Sequence, residues 1–317
     1  MGIIVTGAAG FVGRRIVAGL LAQGHDVVAM DRDVAALETG AGLLAIAGDL
    51  ADADVRAAAL AAPALAGGVA GVIHLATVPG GAAEADPAAS RRINLDAMYD
   101  LMEDVAARKG PGGTVPRFVY ASSIAVFGDP LPAFVDDASP LSPKMIYGGH
   151  KAMMEDAVAL FANRGWLEGV TVRLPGILAR PKGPSGMKSA FMSDLFHALA
   201  AGEAFTCPVS AGATIWAQSV ARCAANFLHA LTLDTALLPP TRAVTLPALR
   251  VTMGDMAAEI ARQCGVGTDL VSYRPDAALE VAFGAQPPLS TPAAEKAGFA
   301  HDGDLATLVA SALQTLE

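Results

Sequence analysis

The sequence predicts an α/β fold built on a doubly wound parallel sheet, and three observations lead there. Short apolar runs alternate with helical stretches through the first half of the chain. The runs are continuously apolar, as strands covered on both faces are, and the first of them passes straight into a glycine-rich turn and a helix. Right-handed crossovers between such strands place helices on both faces and leave ligands at the strands' carboxyl ends.

The opening run, Ile3-Ile4-Val5-Thr6, leads into Gly7-Ala8-Ala9-Gly10-Phe11-Val12-Gly13 and then a helical pattern. Without a Cβ, Gly7 makes the tight turn, Gly10 admits a pyrophosphate close to the backbone, and Gly13 lets helix and strand touch. The helix N-terminus, opened by Phe11 and Val12, offers unpaired N–H groups and partial positive charge. Strand, glycine turn and helix in this order make a dinucleotide site. The carboxylate that such a site requires about 20 residues later is Asp31, which ends the run Asp26 to Met30. There it accepts hydrogen bonds from the ribose hydroxyls and repels a 2′-phosphate, so NAD is expected over NADP; the adjacent Arg32 is the one feature that would accommodate the phosphate. Alone, Asp31 would read as a cap on a strand-to-helix turn, but its spacing from Gly7 favours the ribose.

The next unit runs through Leu43 to Ala47 and ends in Gly48-Asp49-Leu50, with Asp49 expected to face the adenine and Leu50 beside it; Asp52 caps the following Ala-rich helix. A buried strand, Gly71 to Ala76, brings Leu75 and Ala76 to the cofactor and ends in a loop from Thr77 to Gly81. One long helix is expected from Pro87 to Arg108, then a surface connection from Lys109 to Pro116 and a fifth strand from Arg117 to Ala121. Beyond the strand Gly169 to Leu174 the rhythm loosens into Pro- and Gly-rich stretches between helices at Ser189 to Ala201, Ser219 to Leu231, Thr252 to Cys264 and Asp304 to Leu316. Residues 1–174 are therefore assigned to the nucleotide-binding domain, and 175–317 mainly to a smaller α/β substrate lobe with some segments returning to the sheet.

At 317 residues with a net charge of -9, and without a run of Lys and Arg, the chain offers no footprint for nucleic acid or an anionic membrane. Cys207, Cys223 and Cys264 are widely spaced, with neither zinc nor disulfide patterning; reduced thiols and no metal are expected. No uninterrupted apolar stretch of about 18 residues and no leader pattern is found, which suits a soluble cytoplasmic protein.

Tyr147-Gly148-Gly149-His150-Lys151 places a phenol and an ammonium one helical turn apart on one face. A nearby cation stabilises phenolate and would draw the Tyr147 pKa down toward neutrality, as would the positive ring of an oxidised nicotinamide. The same spacing also occurs as an ordinary surface pair. Context counts against that reading, because Ser122 and Ser123 follow the fifth strand at the ligand end of the sheet, where a hydroxyl can polarise a carbonyl. Serines there often just satisfy loop backbone groups.

Together, Thr6 to Gly13, Ser122-Ser123-Ile124-Ala125-Val126-Phe127-Gly128 and Tyr147 to Lys151 resemble the extended short-chain dehydrogenase/reductase superfamily, of the NAD-dependent epimerase/dehydratase type with a Rossmann fold. The resemblance implies that Ser123 is the catalytic serine, that Tyr147 is the acid/base, that Lys151 holds the ribose and tunes Tyr147, and that Asn94 lies beside the site. Three departures narrow the chemistry. Ile124 and Ala125 stand where a dehydratase carries an acidic pair; Gly176, in Arg173-Leu174-Pro175-Gly176-Ile177, stands where nucleotide-sugar enzymes carry Asn; and Thr214 to Ala217 lacks their diphosphate-binding Arg. A small substrate follows.

The segment Arg173 to Pro181, with Ser185, Ser189 to Phe191, Cys207-Pro208, Ile215-Trp216, Leu246-Pro247 and Val251 to Gly254, resembles the D-erythronate dehydrogenase-like branch. That branch implies NAD-dependent oxidation of the 2-hydroxyl of a sugar acid to a 2-oxo acid, and family likeness implies a homodimer through the helices of Asn94 and Tyr147. A basic side chain should hold the substrate carboxylate: Arg180 first, Lys188 second. Thr77, Ser185 and Trp216 are weaker substrate candidates, with Gly176, and Pro175 is a further cofactor candidate. His74 and His150 are expected to pack or be solvated. The competing readings are a nucleotide-sugar epimerase, a dehydrogenase of apolar or aromatic alcohols suggested by Val78, Pro79, Met145, Met187 and Met192, and a redox sensor without turnover.

Overall fold

The computed structural model describes residues 1–38, 40–128, 130–183 and 188–316 of the chain, Lys188 by its backbone. Its strands are β1 Gly2–Thr6, β2 Asp26–Asp31, β3 Leu43–Ala47, β4 Gly71–His74, β5 Arg117–Ser123, β6 Glu168–Leu174, β7 Gly176–Ile177, β8 Phe205–Cys207, β9 Thr214–Gln218, β10 Ala243–Thr245, β11 Leu249–Thr252 and β12 Val271–Tyr273. The α-helices are α1 Phe11–Ala22, α2 Ala53–Leu60, α3 Gly80–Ala85, α4 Pro87–Arg91, α5 Met98–Ala106, α6 Ile146–Asn163, α7 Phe191–Ala200, α8 Val220–Ala230, α9 Met253–Cys264, α10 Ala277–Phe283, α11 Pro292–Lys296 and α12 Leu305–Leu313. Side-chain caps fix several starts: Asp52 accepts from Asp54 N–H at α2, Ser219 from Arg222 N–H at α8 and Asp304 from Thr307 N–H at α12.

The large sheet has seven strands in the order β10-β6-β5-β4-β1-β2-β3, all pairs parallel. Its order reverses between β1 and β4, the switch point at which ligands of doubly wound sheets bind. The expected fold class is thus observed. Alternate residues of β1 feed opposite cores: Ile3 and Val5 pack with Ile16, Leu20, Val220 and Phe227 on one face, and Ile4 packs with Leu101, Phe118, Met154 and Phe161 on the other. The other sheets are the three-stranded β11-β9-β7 and the pair β12-β8, and a further core joins residues of α7, α9 and α12 to them. From the second half of the chain, β10 pairs with β6, and α8 packs on the glycine-turn face.

Three expectations need correction. The strand read as Gly71 to Ala76 ends at His74, because Leu75 and Ala76 turn across the glycine loop. At the sheet edge, β3 leaves much of its surface exposed, unlike a strand covered on both faces. The single helix expected from Pro87 to Arg108 is α4, a π-helical segment Arg92–Ala97, and α5, and the short α3 before it starts inside the expected Thr77–Gly81 loop. Buried in the wide turn, Asn94 accepts from Thr77 Oγ1 at 3.0 Å and Val78 N–H at 2.7 Å and donates to the Val78 carbonyl at 2.9 Å. These bonds to the β4 loop account for the widening, which is a common device near functional sites.

Candidate active site

The glycine turn is built to leave a cradle open. Gly7 has φ +67°, and a Cβ there would come within 2.8 Å of the Ala76 amide nitrogen, so the turn lies directly against Leu75–Ala76. Gly10 is the residue just before α1, and among the described residues no side chain caps the first N–H groups of that helix. Across the turn, the Asp31 carboxylate accepts Ala9 N–H at 3.0 Å through Oδ2 and Arg32 N–H at 2.7 Å through Oδ1. It faces the start of α1 and keeps lone pairs for hydroxyl donors. An open helix N-terminus with a carboxylate beside it, in a cradle that side chains would fill, fits a dinucleotide. Phe11 and Val12 stand at the mouth, half-buried.

Asp49 also lies on this edge, but its carboxylate is engaged: it accepts Ala51 N–H at 2.9 Å and an Arg92 guanidinium N–H at 2.8 Å, which together hold it below the usual carboxylate range. Leu50 is buried, its carbonyl taking Arg56 Nη1 at 2.9 Å. Below the turn, Thr6 Oγ1 bonds His74 Nδ1 at 2.8 Å, and burial, aided by the charge of Lys151, pushes His74 down to about 3. His74 is a neutral packing residue.

The helix α6 carries Tyr147 and Lys151 to the same end of the sheet. It packs closely on the single turn of 3-10 helix Ile124–Phe127 because Gly148 has no Cβ; one placed there would collide with the Ala125 carbonyl. Ser123 caps that turn, accepting Ala125 N–H at 3.2 Å, and its side chain also hydrogen-bonds the Tyr147 phenol. Lys151 is buried, donates to the Ala121 carbonyl at 2.7 Å, and lies over the rings of Tyr120 and Tyr147 at 4.8 and 5.5 Å. Burial takes its ammonium down to about 7, with Glu155 acting in the opposite direction.

The electrostatics of Tyr147 differ from the expectation. Burial raises its phenol above the ordinary value, and the influences that draw it down are the charge of Arg180 and the Ser123 hydrogen bond, rather than Lys151. Lys151 meets the ring face while its proton goes to Ala121, whereas Arg180 acts on the phenol from β7's side of the site. Arg180 is half-buried; its Nε donates to the Ile177 carbonyl at 3.1 Å, and its own carbonyl accepts His197 Nε2 at 2.7 Å. The preceding residue, Ala179, has φ 55°, a left-handed conformation uncommon for a residue with a Cβ.

The other candidates separate. Thr77 is half-buried and bonded to Asn94. Pro175 is buried; Gly176 is where β7 meets β9, and a Cβ would crowd the Trp216 carbonyl at 2.9 Å. Trp216 needs correction as a substrate contact, because its side chain is wholly enclosed among Val126, Phe127 and Val135 and donates Nε1–H to the Pro287 carbonyl at 2.7 Å. Its large ring and polar tip are both used inside the fold, the ring among apolar side chains and the N–H on a backbone carbonyl. Ser185 and the side chain of Lys188 lie outside the described residues.

Beneath the site lies a group that the sequence reading missed. The Glu155 carboxylate accepts Ser122 Oγ at 2.5 Å, Arg173 Nε at 3.0 Å and Arg173 Nη2 at 2.6 Å, with both ionic side chains buried. The available signal was periodicity, since Glu155 falls four residues after Lys151. His150 turns aside to Ser90 Oγ at 2.9 Å. Glu84 of α3 accepts Ile146 N–H at 2.7 Å and so holds the first turn of α6.

Residues 3–217 match the NAD dependent epimerase/dehydratase family. A D-erythronate dehydrogenase from Cupriavidus necator is 33% identical over 299 residues, covering 90% of this chain and 90% of that protein. Another, from Haemophilus influenzae, is 29% identical over 283 residues, 84% of this chain and 83% of that protein. Among solved structures, a nucleoside-diphosphate-sugar epimerase from Agrobacterium tumefaciens superposes with a TM-score of 0.85 at 27% identity, covering 98% of this chain and 92% of that one. An L-threonine dehydrogenase from Cupriavidus necator gives 0.85 over 100% of both chains at 21% identity, a likeness of fold alone.

Proposed function

Since this chain belongs to the NAD dependent epimerase/dehydratase family, we propose that it oxidises the 2-hydroxyl of a small, D-erythronate-like sugar acid to a 2-oxo acid. It is an NAD-dependent oxidoreductase acting on a CH–OH group. In this reading Gly7, Gly10, Phe11 and Val12 hold the pyrophosphate, Asp31 the adenosine ribose, and Leu75–Ala76 line the cradle. Lys151 holds the nicotinamide ribose, and Asn94 keeps the Thr77–Val78 loop in place beside it. When bound, NAD supplies the hydride acceptor and a positively charged ring near the phenol.

Tyr147 takes the hydroxyl proton while hydride leaves the same carbon, so the C–O bond becomes a carbonyl and the electron pair leaves with the hydride. The phenol accepts that proton as phenolate, toward which Arg180 and Ser123 pull it against burial. Ser123 then donates to the substrate oxygen. The observation that carries the reading is Arg180: a half-buried guanidinium beside the reacting phenol suits an acid substrate, whose carboxylate it would take as a charge-assisted pair.

The test is a screen for NAD reduction across tetronic, pentonic and hexonic acids, nucleotide sugars and aryl alcohols. Stoichiometric NADH release with a sugar acid is expected. Turnover confined to nucleotide sugars, with no net NADH, would make it an epimerase instead, a reaction named for the Agrobacterium tumefaciens neighbour. Arg180→Gln should raise KM for the acid roughly tenfold to a hundredfold, the worth of a hydrogen bond to a charged group; an unchanged KM would remove Arg180 from the scheme.

A further inference from the structure

Three consecutive residues of β5 engage three different partners. The Ala121 carbonyl takes the Lys151 ammonium, the Ser122 hydroxyl donates to Glu155, and Ser123 reaches Tyr147. Lys151 and Glu155 are one turn apart on α6, so this helix is stitched to β5 at two successive levels. Arg173, from β6 on the far side of β5, closes on the same carboxylate and lies over the Phe127 ring at 5.2 Å. The result is one buried carboxylate paired with the Arg173 guanidinium, one helical turn along α6 from the buried Lys151 ammonium.

We propose that Glu155 is a positioning residue for the reaction: held by Ser122 and Arg173, it fixes the turn of α6 that presents Lys151 and serves as the counter-charge of the Lys151 ammonium. This rests on the reading above that a charged Lys151 holds the ribose. Of the two cations, Arg173 cannot give up its proton within a protein, whereas a lysine can. If the carboxylate loses its charge, the unbalanced charge is relieved at Lys151. Among the described residues, the other groups around Lys151 supply no substitute. His74 of β4 is buried and neutral, Tyr120 of β5 and Tyr147 of α6 are buried phenols, and Glu84 of α3 is engaged at the start of the helix. The free ammonium already ionises near neutrality, at about 7, so a modest loss of support decides its state.

In protein carrying 13C-labelled lysine, the Cε resonance of Lys151, assigned with Lys151→Arg, reports its ionisation without NAD. Glu155→Gln should lower the midpoint by about one unit or more, tenfold in proton affinity, Arg173→Gln should raise it, and the double variant should fall between them. The KM for NAD should worsen at neutral pH in Glu155→Gln and recover toward acid pH. A midpoint unmoved by Glu155→Gln, or all three variants shifted in one direction, would overturn the proposal. Should Glu155→Gln fail to fold, the order of the other two decides: Arg173→Gln above the double variant supports it, and the reverse overturns it. Tyr147→Phe and Lys151→Met separate the two levels, because turnover surviving in them refutes the site reading, whereas the midpoints judge Glu155.

Discussion

At the residue scale, burial and charge oppose each other at Tyr147 and at Lys151. Lys151 is the clearest case, since burial takes its ammonium down to about 7 from the ordinary 10.5. Between those values the folded protein binds fewer protons than the unfolded chain, so stability should rise with pH across that window and level off below about 7. Guanidinium midpoints at a series of pH values should show a rise that Lys151→Met flattens; an equal slope in both would place the proton elsewhere. The spacing of Tyr147, Lys151 and Ser123 was legible because a helical turn and a strand end are local geometry. Glu155 was not, since its meaning depends on Ser122 and Arg173, which come together only when β5 and β6 lie side by side. The source of the pull on Tyr147 was misassigned for the same reason: Arg180 reaches the phenol through tertiary structure, and helix periodicity does not register it.

At the scale of elements, closeness is set by small residues. Gly148 lets α6 lie against the 3-10 turn of Ser123, and a methyl group there would strike the Ala125 carbonyl, a backbone atom that cannot swing aside. Gly148→Ala should therefore cost roughly 1–3 kcal/mol of stability, as overpacking does, and lower kcat more than it changes KM for NAD. Thermal melts and steady-state kinetics check both, and an alanine variant of native activity would show that the helix has room to move. Continuous apolar runs disclosed β1 to β6 of the large sheet but not the short β10, and the capping residues disclosed helix starts such as those at Asp52 and Ser219. The π turn was invisible: the pattern from Pro87 onward reads as one helix, and only the bonds from Asn94 to Thr77 and Val78 explain why Arg92–Ala97 is wound more widely.

At the scale of the whole molecule, the large sheet and the smaller sheets are built from an interleaved chain. Trp216 was mistaken for a pocket residue because a large aromatic beside a site segment reads the same from sequence whether it lines a cavity or closes a seam. In the fold it sits with Val135, whose backbone bridges to Leu289, and Asp137 accepts Ala293 N–H at 2.8 Å at the start of α11. The sheet itself is completed from the second half of the chain, where β10 covers the open side of β6 and α8 covers α1. A chain ending at Leu174 should therefore lack a cooperative melt and fail to bind NAD, as calorimetry would show; a soluble, binding-competent fragment would mean that β6 tolerates a bare edge. For anyone wishing to exchange specificities between relatives, this weaving has a practical result. A chimera joined at one point would marry a host sheet to a guest edge strand and a guest covering helix. A working transplant would need several junctions, each leaving β10, α8 and the Ala294–Phe299 stretch with their original host.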